Sequence, residues 1–527
     1  MADKRNKYTK KQIDFVKDLV KRENNPLKVT PAAVLMCQHF EMEYTENIGR
    51  QFRKIMRKKG YTDNVRVIEE SKSFRKAKNK KFDKRKKKFL LTWAQNATPV
   101  HEGFFKNLVS YAEFHKAGLQ VVAGRYKNPT SVFSDAKHEE WVEEVLPYLD
   151  ANRHNLHPYL QVLSDLKISP TASTPLSGLN GITELETCIV GHPRQHLKSL
   201  PVLDGYPNKL LLSTGACTVE NYTDSKSGSK GAFHHSLGAV IVELDGDNFH
   251  VRHISADEEG DFYDLFYEVS GGEVTDNSEG AEFAVLGDLH LTEQDDTALN
   301  SALSLLDIMQ PNHTMCHDLF TGASLSHHDR RNPFTMLQKE QEGELNLEKE
   351  VQYMMDWLET NKKYNLVVVR GNHCDMFDRW LINTDWRKDY NKYQYFKYGM
   401  LLADNKAPKG IVPYLIDQKF KGEVVTLGLD DSYRVLGWEL AIHGHVGASG
   451  SRGSHTQYKN LNTKNITGHG HHPHKEDGHI SVGTLTKLRL GYNQGLSSWM
   501  HNIALGYANG KVQLINIIDG KYTTFKV

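Results

Sequence analysis

The last 247 residues contain histidine and carboxylate side chains at spacings that suit a metal ion. Asp288 and His290 follow a short apolar segment. Residues i and i+2 of a strand point to the same side, so both side chains can reach one ion. Similar polar clusters recur further on, at His317-Asp318, Asn372-His373, His443-Gly-His445 and His469-Gly-His471. Nitrogen and oxygen ligands without thiolate suit Mn²⁺, Fe²⁺ or Zn²⁺ and do not choose among them.

Two such ions would support hydrolysis of a phosphodiester. A pair of metal ions about 3.5–4 Å apart neutralises the charge that repels hydroxide, and it acidifies a water enough to attack in line. The chain contains 27 histidines against 7 tryptophans, an excess that makes a metal site worth seeking. A single histidine is more often an ordinary surface or core residue, whereas five ordered clusters favour a metal centre.

Apolar segments precede most of these clusters and predict the elements that position them. Strands are predicted over 282–287, 313–316, 365–369 and 440–442, and helices over 297–309 and 347–360. The last cluster lies in a loop before a strand predicted at 480–483. Polar residues at the carboxyl ends of strands are where sites assemble in α/β folds. We therefore expect an α/β domain over residues 281–527.

The order of the motifs resembles that of the calcineurin-like metallophosphoesterase superfamily: DxH, then an Asp, GNH, a His and GHxH. The resemblance covers about residues 281–527 and implies a β-sandwich flanked by helices. For one metal it implies the ligands Asp288, His290 and His471, and for the other Asn372, His443 and His469. It implies that Asp318 bridges the two metals and that His373 is a non-ligand that stabilises or protonates the leaving oxygen.

Two of these assignments depend on local features. The superfamily commonly has GDxxD at its second motif, whereas this chain has His317-Asp318-Leu-Phe-Thr321. The bridging carboxylate is therefore present without the preceding glycine and the second aspartate. His443 is preferred to His445 because it directly follows the predicted strand.

From about residue 90 onward the chain also resembles phage pre-early DNA-transfer proteins of the metallophosphoesterase class. Two segments carry that resemblance, LLLSTGACTVENYTDSKSGSKGAFHHSLGAVIVELDG and GHISVGTLTKLRLGYNQGLSSWMHN. It implies a metal-dependent DNase that acts on host DNA, with Mn²⁺ as the first choice of metal and Mg²⁺, Fe²⁺ or Zn²⁺ as alternatives. It also implies a homo-oligomer in the cytoplasm of the host cell.

The net charge of +1 hides a strong asymmetry. Residues 1–90 contain 27 Lys and Arg against 11 Asp and Glu, a local charge of +16 that leaves −15 for the remainder. In Ser71–Lys88, 11 of 18 residues are basic, which predicts an extended or loosely helical linker. It is either a solvated linker or an arm that binds DNA phosphates. The candidate DNA contacts are Arg75, Lys76, Lys80, Lys81, Lys84, Arg85, Lys86, Lys87 and Lys88, and Arg452 in the glycine-rich segment 447–453.

We divide the chain into three parts: a basic helical arm (1–88), an α/β accessory domain (89–280) and the metal domain (281–527). Residues 8–61 read as short helices, either a helix-turn-helix that reads DNA or an oligomerisation element. In the accessory domain, strands at 89–95 and 119–123 and a helix at 102–116 predict a βαβ unit. His327, His328, His472, His474 and His479 are either substrate or supporting contacts, or polar loop residues.

Composition excludes several classes of protein. We find no apolar run near the ~20 residues that a membrane span needs, and the N-terminus lacks the apolar region of a secretory signal. Five scattered cysteines fit a reducing cytoplasm. We expect a two-metal DNase. The alternatives are a phosphatase or cyclic-nucleotide phosphodiesterase, and a non-catalytic DNA-transfer or scaffold protein that retains the metal fold.

Overall fold

The computed structural model describes residues 8–21, 27–59, 71–133, 140–327, 329–461 and 463–525. The chain separates into two compact units, Met1–Glu70 and Ser71–Val527. The basic segment 71–88 therefore belongs to the second unit. The predicted division of residues 89–527 into an accessory and a metal domain stays a prediction.

Helices form the described part of the first unit: α1 (Lys10–Lys21), α2 (Val29–His39) and α3 (Glu46–Lys58). Ile13, Val16 and Leu19 recur at helical spacing in α1, and all three are buried. They pack in one core with Met36 and Phe52 from the other two helices. The short helices that the sequence predicts here are present in the described residues.

The basic segment 71–88, predicted as an extended or loosely helical linker, contains a short helix that docks against its own unit. Ser71 is the N-cap of helix α4 (Lys72–Lys78), and its hydroxyl accepts a hydrogen bond from the Phe74 backbone N–H. Phe74 and Ala77 are buried, and the Phe74 ring stacks on Trp141 at 5.8 Å. Two apolar residues three positions apart are enough to dock this helix, although most of its other residues are charged.

The strands that follow α4 are mostly short, and few helices separate them. Up to residue 276 the elements are β1 (Lys88–Gln95), α5 (Glu102–Phe114), β2 (Gly118–Gly124), β3 (Leu149–Asp150), β4 (Arg153–His157), β5 (Leu160–Leu163), β6 (Thr187–Val190), β7 (Leu197–Leu200), β8 (Lys209–Ser213), α6 (Lys226–Phe233), β9 (Gly238–Asp245), β10 (Asn248–Ser255), β11 (Phe262–Asp264), β12 (Tyr267–Ser270) and β13 (Glu273–Asp276). The predicted βαβ unit is confirmed, because β1 and β2 pair in parallel on either side of α5.

The remaining elements alternate strands and helices before returning to strands. They are β14 (Phe283–Leu286), α7 (Asp296–Met309), β15 (His313–His317), α8 (Pro333–Glu342), α9 (Leu347–Asn361), β16 (Leu366–Val369), α10 (Asn372–Asn383), α11 (Lys392–Ala403), α12 (Ile411–Phe420), β17 (Val425–Leu427), β18 (Arg434–Val435), β19 (Trp438–Glu439), α13 (His455–Lys459), β20 (Lys464–Thr467), β21 (His474–Glu476), β22 (His479–Ser481), β23 (Asn502–Gly506) and β24 (Val512–Asn516). The predicted strand at 440–442 is wrong, because the strand there, β19, ends at Glu439.

Short 3₁₀ helices complete the described secondary structure. They span Glu143–Val145, Asn180–Ile182, Ala323–Leu325, Asp329–Arg331, Lys362–Tyr364, Trp386–Lys388 and Ala448–Gly450. Within the described ranges, none of the helices combines the length and the apolar character that crossing a membrane requires.

Four sheets organise the described strands, and the fold is mixed α/β, as predicted. A six-stranded sheet has the order β17-β16-β15-β14-β23-β24, and its first four strands are parallel. A ten-stranded sheet has the order β18-β19-β20-β22-β21-β7-β8-β6-β5-β4. Val285 and Val367 of the former share one buried core with Ile466 and Ile189 of the latter, so the two sheets pack face to face.

Two smaller sheets lie in the part of the chain before residue 281. One has the order β10-β9-β1-β2-β3, and the other has the order β11-β12-β13 and packs against α5. The first contributes Leu91 and Val240 to the same buried core as the two large sheets. Residues before and after 281 therefore build one continuous core.

Candidate metal centre

The predicted site residues lie just beyond the carboxyl ends of strands in the two large sheets. Asp288 and His290 follow β14, Asp318 follows β15, and Asn372 opens α10 after β16. The ten-stranded sheet contributes His443 after β19, and His469 and His471 after β20. Four of these residues have left-handed backbone: His290 (φ 38°), Asp318 (φ 40°), His469 (φ 64°) and His471 (φ 56°). Non-glycine residues in this region cluster at functional sites.

Asp288, His290 and His471 form one buried group whose ligand atoms all lie within 4.8 Å of one another. Nε2 of His471 is 2.8 Å from Oδ2 of Asp288 and 3.3 Å from Nε2 of His290. The other carboxylate oxygen of Asp288 accepts a hydrogen bond of 3.0 Å from the His469 backbone N–H. The aspartate is therefore held by the loop that also carries His471.

Asp318, His443 and His469 form a second group with the same spacing, in which His469 is half-buried. Nε2 of His443 is 3.0 Å from Oδ2 of Asp318. The side-chain oxygen of Asn372 lies 3.0 Å from this same His443 nitrogen and 2.9 Å from Nδ1 of His469. The amide oxygen of Asn372 is thus turned toward the two histidines with which the resemblance groups it.

These donor sets fit divalent metal ions. Two ligand atoms each about 2.1 Å from one ion lie about 3 Å apart, which is close to the spacings found here. Nε2 of His290 and Nε2 of His471 face one another across 3.3 Å, and both rings are buried. Buried lone pairs that face one another without a proton or a cation between them are unfavourable. The described residues therefore include groups able to hold metal ions.

His373 lies at the edge of both groups. Its Nδ1 contacts the backbone oxygen of Thr321, and its backbone N–H donates a 3.3 Å hydrogen bond to Oδ1 of Asp318. The ring centre is 4.2 Å from that of His290. By distance His373 forms a third group with His290 and Asp318, while the Thr321 contact fixes its ring and leaves Nε2 for other partners.

Burial and the charges of neighbouring side chains shift the pKa values of the aspartates and histidines of the centre. Burial alone would raise the pKa of Asp288, but the His443 and His471 rings outweigh it and lower that pKa. The pKa of Asp318 is also lowered, because His443 and His373 outweigh its burial. Burial lowers the pKa of His443, but Asp318 and Asp288 outweigh that effect and raise it to about 9. The pKa of His469 falls to about 4, because of burial and then His443. Both carboxylates therefore stay ionised.

The neighbouring histidines lie outside the two groups. Nε2 of His445 is 3.1 Å from Oδ2 of Asp375, so its ring is directed to a carboxylate of α10. His455 contacts His479 at 2.9 Å and His472 at 3.1 Å, and its ring stacks on His474. His327 lines the cleft described next, and His328 lies outside the described residues.

An open cleft of about 1350 Å³ gives access to the centre. Its lining includes Asp318, Asn372, His373, His469 and His471, together with the basic residues Lys339, Arg379 and Arg452. The sequence prediction included Arg452 and omitted Lys339 and Arg379.

The sequence analysis did not identify four further residues near the centre as functional. His317 is buried, with Nδ1 3.3 Å from Nδ1 of His443, and its position beside Asp318 was the available signal. Glu293 lines the cleft, and burial raises its pKa. The Trp499 ring packs on His471 at 4.0 Å, and Tyr492 packs on Trp499 at 5.8 Å. No spacing in the sequence points to these two aromatic residues.

The basic residues of segment 71–88 do not line the cleft. Arg75, Lys76, Lys81, Lys84, Arg85 and Lys87 are exposed. Lys80 and Lys86 donate hydrogen bonds to the backbone oxygens of Pro147 and Lys116, and the Lys88 amine lies 4.2 Å from the centre of the Phe525 ring. Part of the predicted DNA-contact set is therefore engaged with the protein itself.

Comparison with known proteins gives one relative of substantial length. The chain is 29% identical over 482 residues to "Protein A1" of Escherichia phage T5, a match that covers 83% of each chain. This similarity supports a phage origin. No protein-family model matches the chain, and no solved structure matches it.

Proposed function

We propose that the protein is a metal-dependent phosphodiesterase of the metallophosphoesterase type that hydrolyses DNA. The observation that carries this proposal is the convergence of two buried Asp–His groups at the end of one open cleft. Asp288, His290 and His471 would hold one divalent ion. Asn372, His443 and His469 would hold the other, with Asp318 between them. The geometry does not choose the metal, and Mn²⁺ is the first candidate, ahead of Mg²⁺, Fe²⁺ or Zn²⁺.

The chain's own residues would divide the work of hydrolysis. When bound, a pair of divalent ions neutralises the phosphodiester and lowers the pKa of a water. Asp288 and Asp318 stay ionised and supply the negative charge that retains the ions. The Thr321 contact fixes the His373 ring so that Nε2 can deliver a proton to the leaving oxygen. Arg379 and Arg452 at the cleft would hold the flanking phosphates.

DNA is preferred as the substrate because the chain presents more positive charge than a small phosphate ester needs. Segment 71–88 carries 11 Lys and Arg against one Asp. A phage origin agrees with the sequence resemblance to phage DNases. That resemblance also implies a homo-oligomer that acts in the cytoplasm of the host cell. A phosphatase or cyclic-nucleotide phosphodiesterase would use the same centre, and a scaffold would need none of its chemistry.

Cleavage assays with purified protein separate these functions. We expect hydrolysis of plasmid, linear duplex or single-stranded DNA with Mn²⁺ and none with EDTA. Asp288→Ala and His471→Ala should abolish hydrolysis, since each removes a direct ligand. His313→Ala is the matched control. His313 lies at the start of β15, whereas the proposed ligand Asp318 follows the end of that strand, and Nδ1 of His313 contacts the Tyr433 hydroxyl. Activity on phosphomonoesters or cyclic nucleotides alone would favour the first alternative, and no metal-dependent hydrolysis at all would favour the scaffold.

A further inference from the structure

The strand pairings of residues 88–255, which we call the first copy, repeat those of the chain after residue 282, which we call the second copy. In the five-stranded sheet, the hairpin β9–β10 lies antiparallel beside β1, and β2 and β3 follow in parallel. In the six-stranded sheet, the hairpin β23–β24 lies antiparallel beside β14, and β15 and β16 follow in parallel. The order and the direction of these strands are the same in both sheets.

The ten-stranded sheet repeats the same pattern about its centre. Outward from the antiparallel pair β7–β21, one side reads β7-β8-β6-β5-β4 and the other reads β21-β22-β20-β19-β18. Each successive pairing agrees in direction: antiparallel, parallel, parallel and antiparallel. The two sides are thus related by an approximate two-fold axis through the β7–β21 pair.

Contacts of single residues align the two copies at the metal centre. Ala216 forms bridges to Trp93 and Leu237, and Thr484 forms bridges of the same kind to Asp288 and His501. The Cys217 N–H donates to the Trp93 carbonyl at 2.8 Å, as the Leu485 N–H donates to the Asp288 carbonyl at 2.9 Å. Trp93 therefore occupies the place of the metal-centre residue Asp288.

Apolar side chains close the corresponding pocket of the first copy. Gly468 follows β20, and Gly191 follows β6, the equivalent strand of the first copy. A Cβ atom added at Gly468 would overlap Asp288 and the His317 ring, whereas one added at Gly191 would overlap Trp93 and Val122. Trp93, Val122 and Ala216 form a small buried cluster of their own. Where the second copy has a carboxylate and an imidazole, the first has an indole and an isopropyl group, which offer no ligand to a cation.

We infer that residues 88–255, the first copy, repeat the fold of the metal-centre half but have a closed ligand pocket, so that each chain has one metal-holding half and one silent half. The inference rests on the proposed function for the metals of the other half. The silent half has a positioning role through segment 497–499, which leads to the Trp499 ring on His471.

Contacts across the seam between the halves support this role. Val202 and Ser497 exchange two backbone hydrogen bonds, of 2.9 and 3.0 Å. The Ser199 hydroxyl donates to the Ser498 carbonyl at 3.0 Å. The next residue, Trp499, packs on His471, so the silent half sets the position of a side chain that contacts a proposed ligand. Groups that orient ligands in this way typically change metal affinity by about 10–100-fold when altered.

Counting bound Mn²⁺ on the full chain tests the silent pocket. Equilibrium dialysis followed by elemental analysis would compare wild type, the double variant Asp288→Ala/His471→Ala, and His192→Ala. His192 follows Gly191 after β6, as His469 follows Gly468 after β20. We expect His192→Ala to bind as many ions as wild type, and the double variant to lose the ion that Asp288, His290 and His471 would hold. Ions that persist in the double variant and disappear on adding His192→Ala would overturn the inference alone. A wild-type chain that binds no Mn²⁺ would instead refute the proposed function, and the division into halves with it.

Variants of the seam test the positioning role by metal affinity. Val202→Pro removes the N–H that donates to Ser497, and Val202→Thr keeps it. We expect the Mn²⁺ dissociation constant to rise about tenfold in the proline variant and to stay near wild type in the threonine variant. Ser199→Ala, which removes only the side-chain bond, should shift the constant in the same direction and serves if the proline variant does not fold. Unchanged affinity in both disruptive variants would refute the positioning role.

Discussion

Neutralising three lysines of segment 71–88 tests whether this segment binds DNA phosphates. The structure divides its lysines into two kinds. The amines of Lys80, Lys86 and Lys88 contact backbone oxygens or an aromatic ring of the same unit. Lys81, Lys84 and Lys87 are exposed. The variant Lys81→Gln/Lys84→Gln/Lys87→Gln therefore removes charge from the surface with little effect on packing.

The expected size of the effect follows from counterion release. Each phosphate contact contributes about 0.9 to the slope of log affinity against log salt concentration. Three lost contacts would reduce the magnitude of that slope by about 2.7. Relative to 1 M salt, this weakens binding at about 0.1 M salt by roughly 500-fold. The loss should not depend on base sequence, because lysine amines at phosphates do not read base edges.

Fluorescence anisotropy with a labelled duplex of about 30 base pairs, titrated across about 50–300 mM KCl, measures this slope. Lys349→Gln/Lys388→Gln/Lys392→Gln is the matched control, since it removes the same charge from exposed positions elsewhere. The control should retain the wild-type slope. If the segment variant also retained it, segment 71–88 would not be a phosphate-binding surface, and the charge asymmetry would need another explanation.

The sequence was sufficient to predict β14, β15 and β16, because each is a short apolar run that ends at a polar cluster. It misplaced the strand before His443 and did not predict β20, which leads to His469 and His471. The segment predicted at 365–369 corresponds to β16 (Leu366–Val369), which leads to Asn372. The pairing of distant strands was not predictable. Residues 198 and 474 are paired across the β7–β21 seam, and local periodicity contains no information about such partners.

Side-chain shape explains why the repeated fold was not recognised in the sequence. Trp93 and Asp288 occupy equivalent places, but the Trp93 ring fills a closed pocket and Asp288 faces the candidate metal centre. Composition was also insufficient at segment 71–88, which it left as either a solvated linker or a DNA-binding arm. It could not predict that Phe74 and Ala77 dock a helix there. In both places the deciding contacts are made by a few apolar residues.

Three further predictions address the reaction, the first unit and stability. His373→Ala should lose most DNA cleavage yet keep wild-type bound metal, because its role is at the leaving oxygen; metal loss equal to that of Asp288→Ala would contradict this. Deleting residues 1–70, a separate unit, should leave hydrolysis of a chromogenic phosphodiester within about twofold of wild type, because every proposed ligand lies in the other unit. Lys475 provides a pH test, because burial, and then the charge of Lys511, lowers its pKa to about 7. Its amine donates to Gln195 at 3.0 Å and Ser255 at 3.2 Å. The unfolded lysine titrates near ~10.4, so between ~pH 7 and 10 the unfolded chain binds more protons and stability rises with pH, by up to about 1.4 kcal/mol per pH unit. Lys475→Met lacks this gain, so its advantage over wild type in urea unfolding should be largest near ~pH 7 and shrink by roughly 2–3 kcal/mol by ~pH 9. A difference that stays constant with pH would show that Lys475 is not held with a lowered pKa.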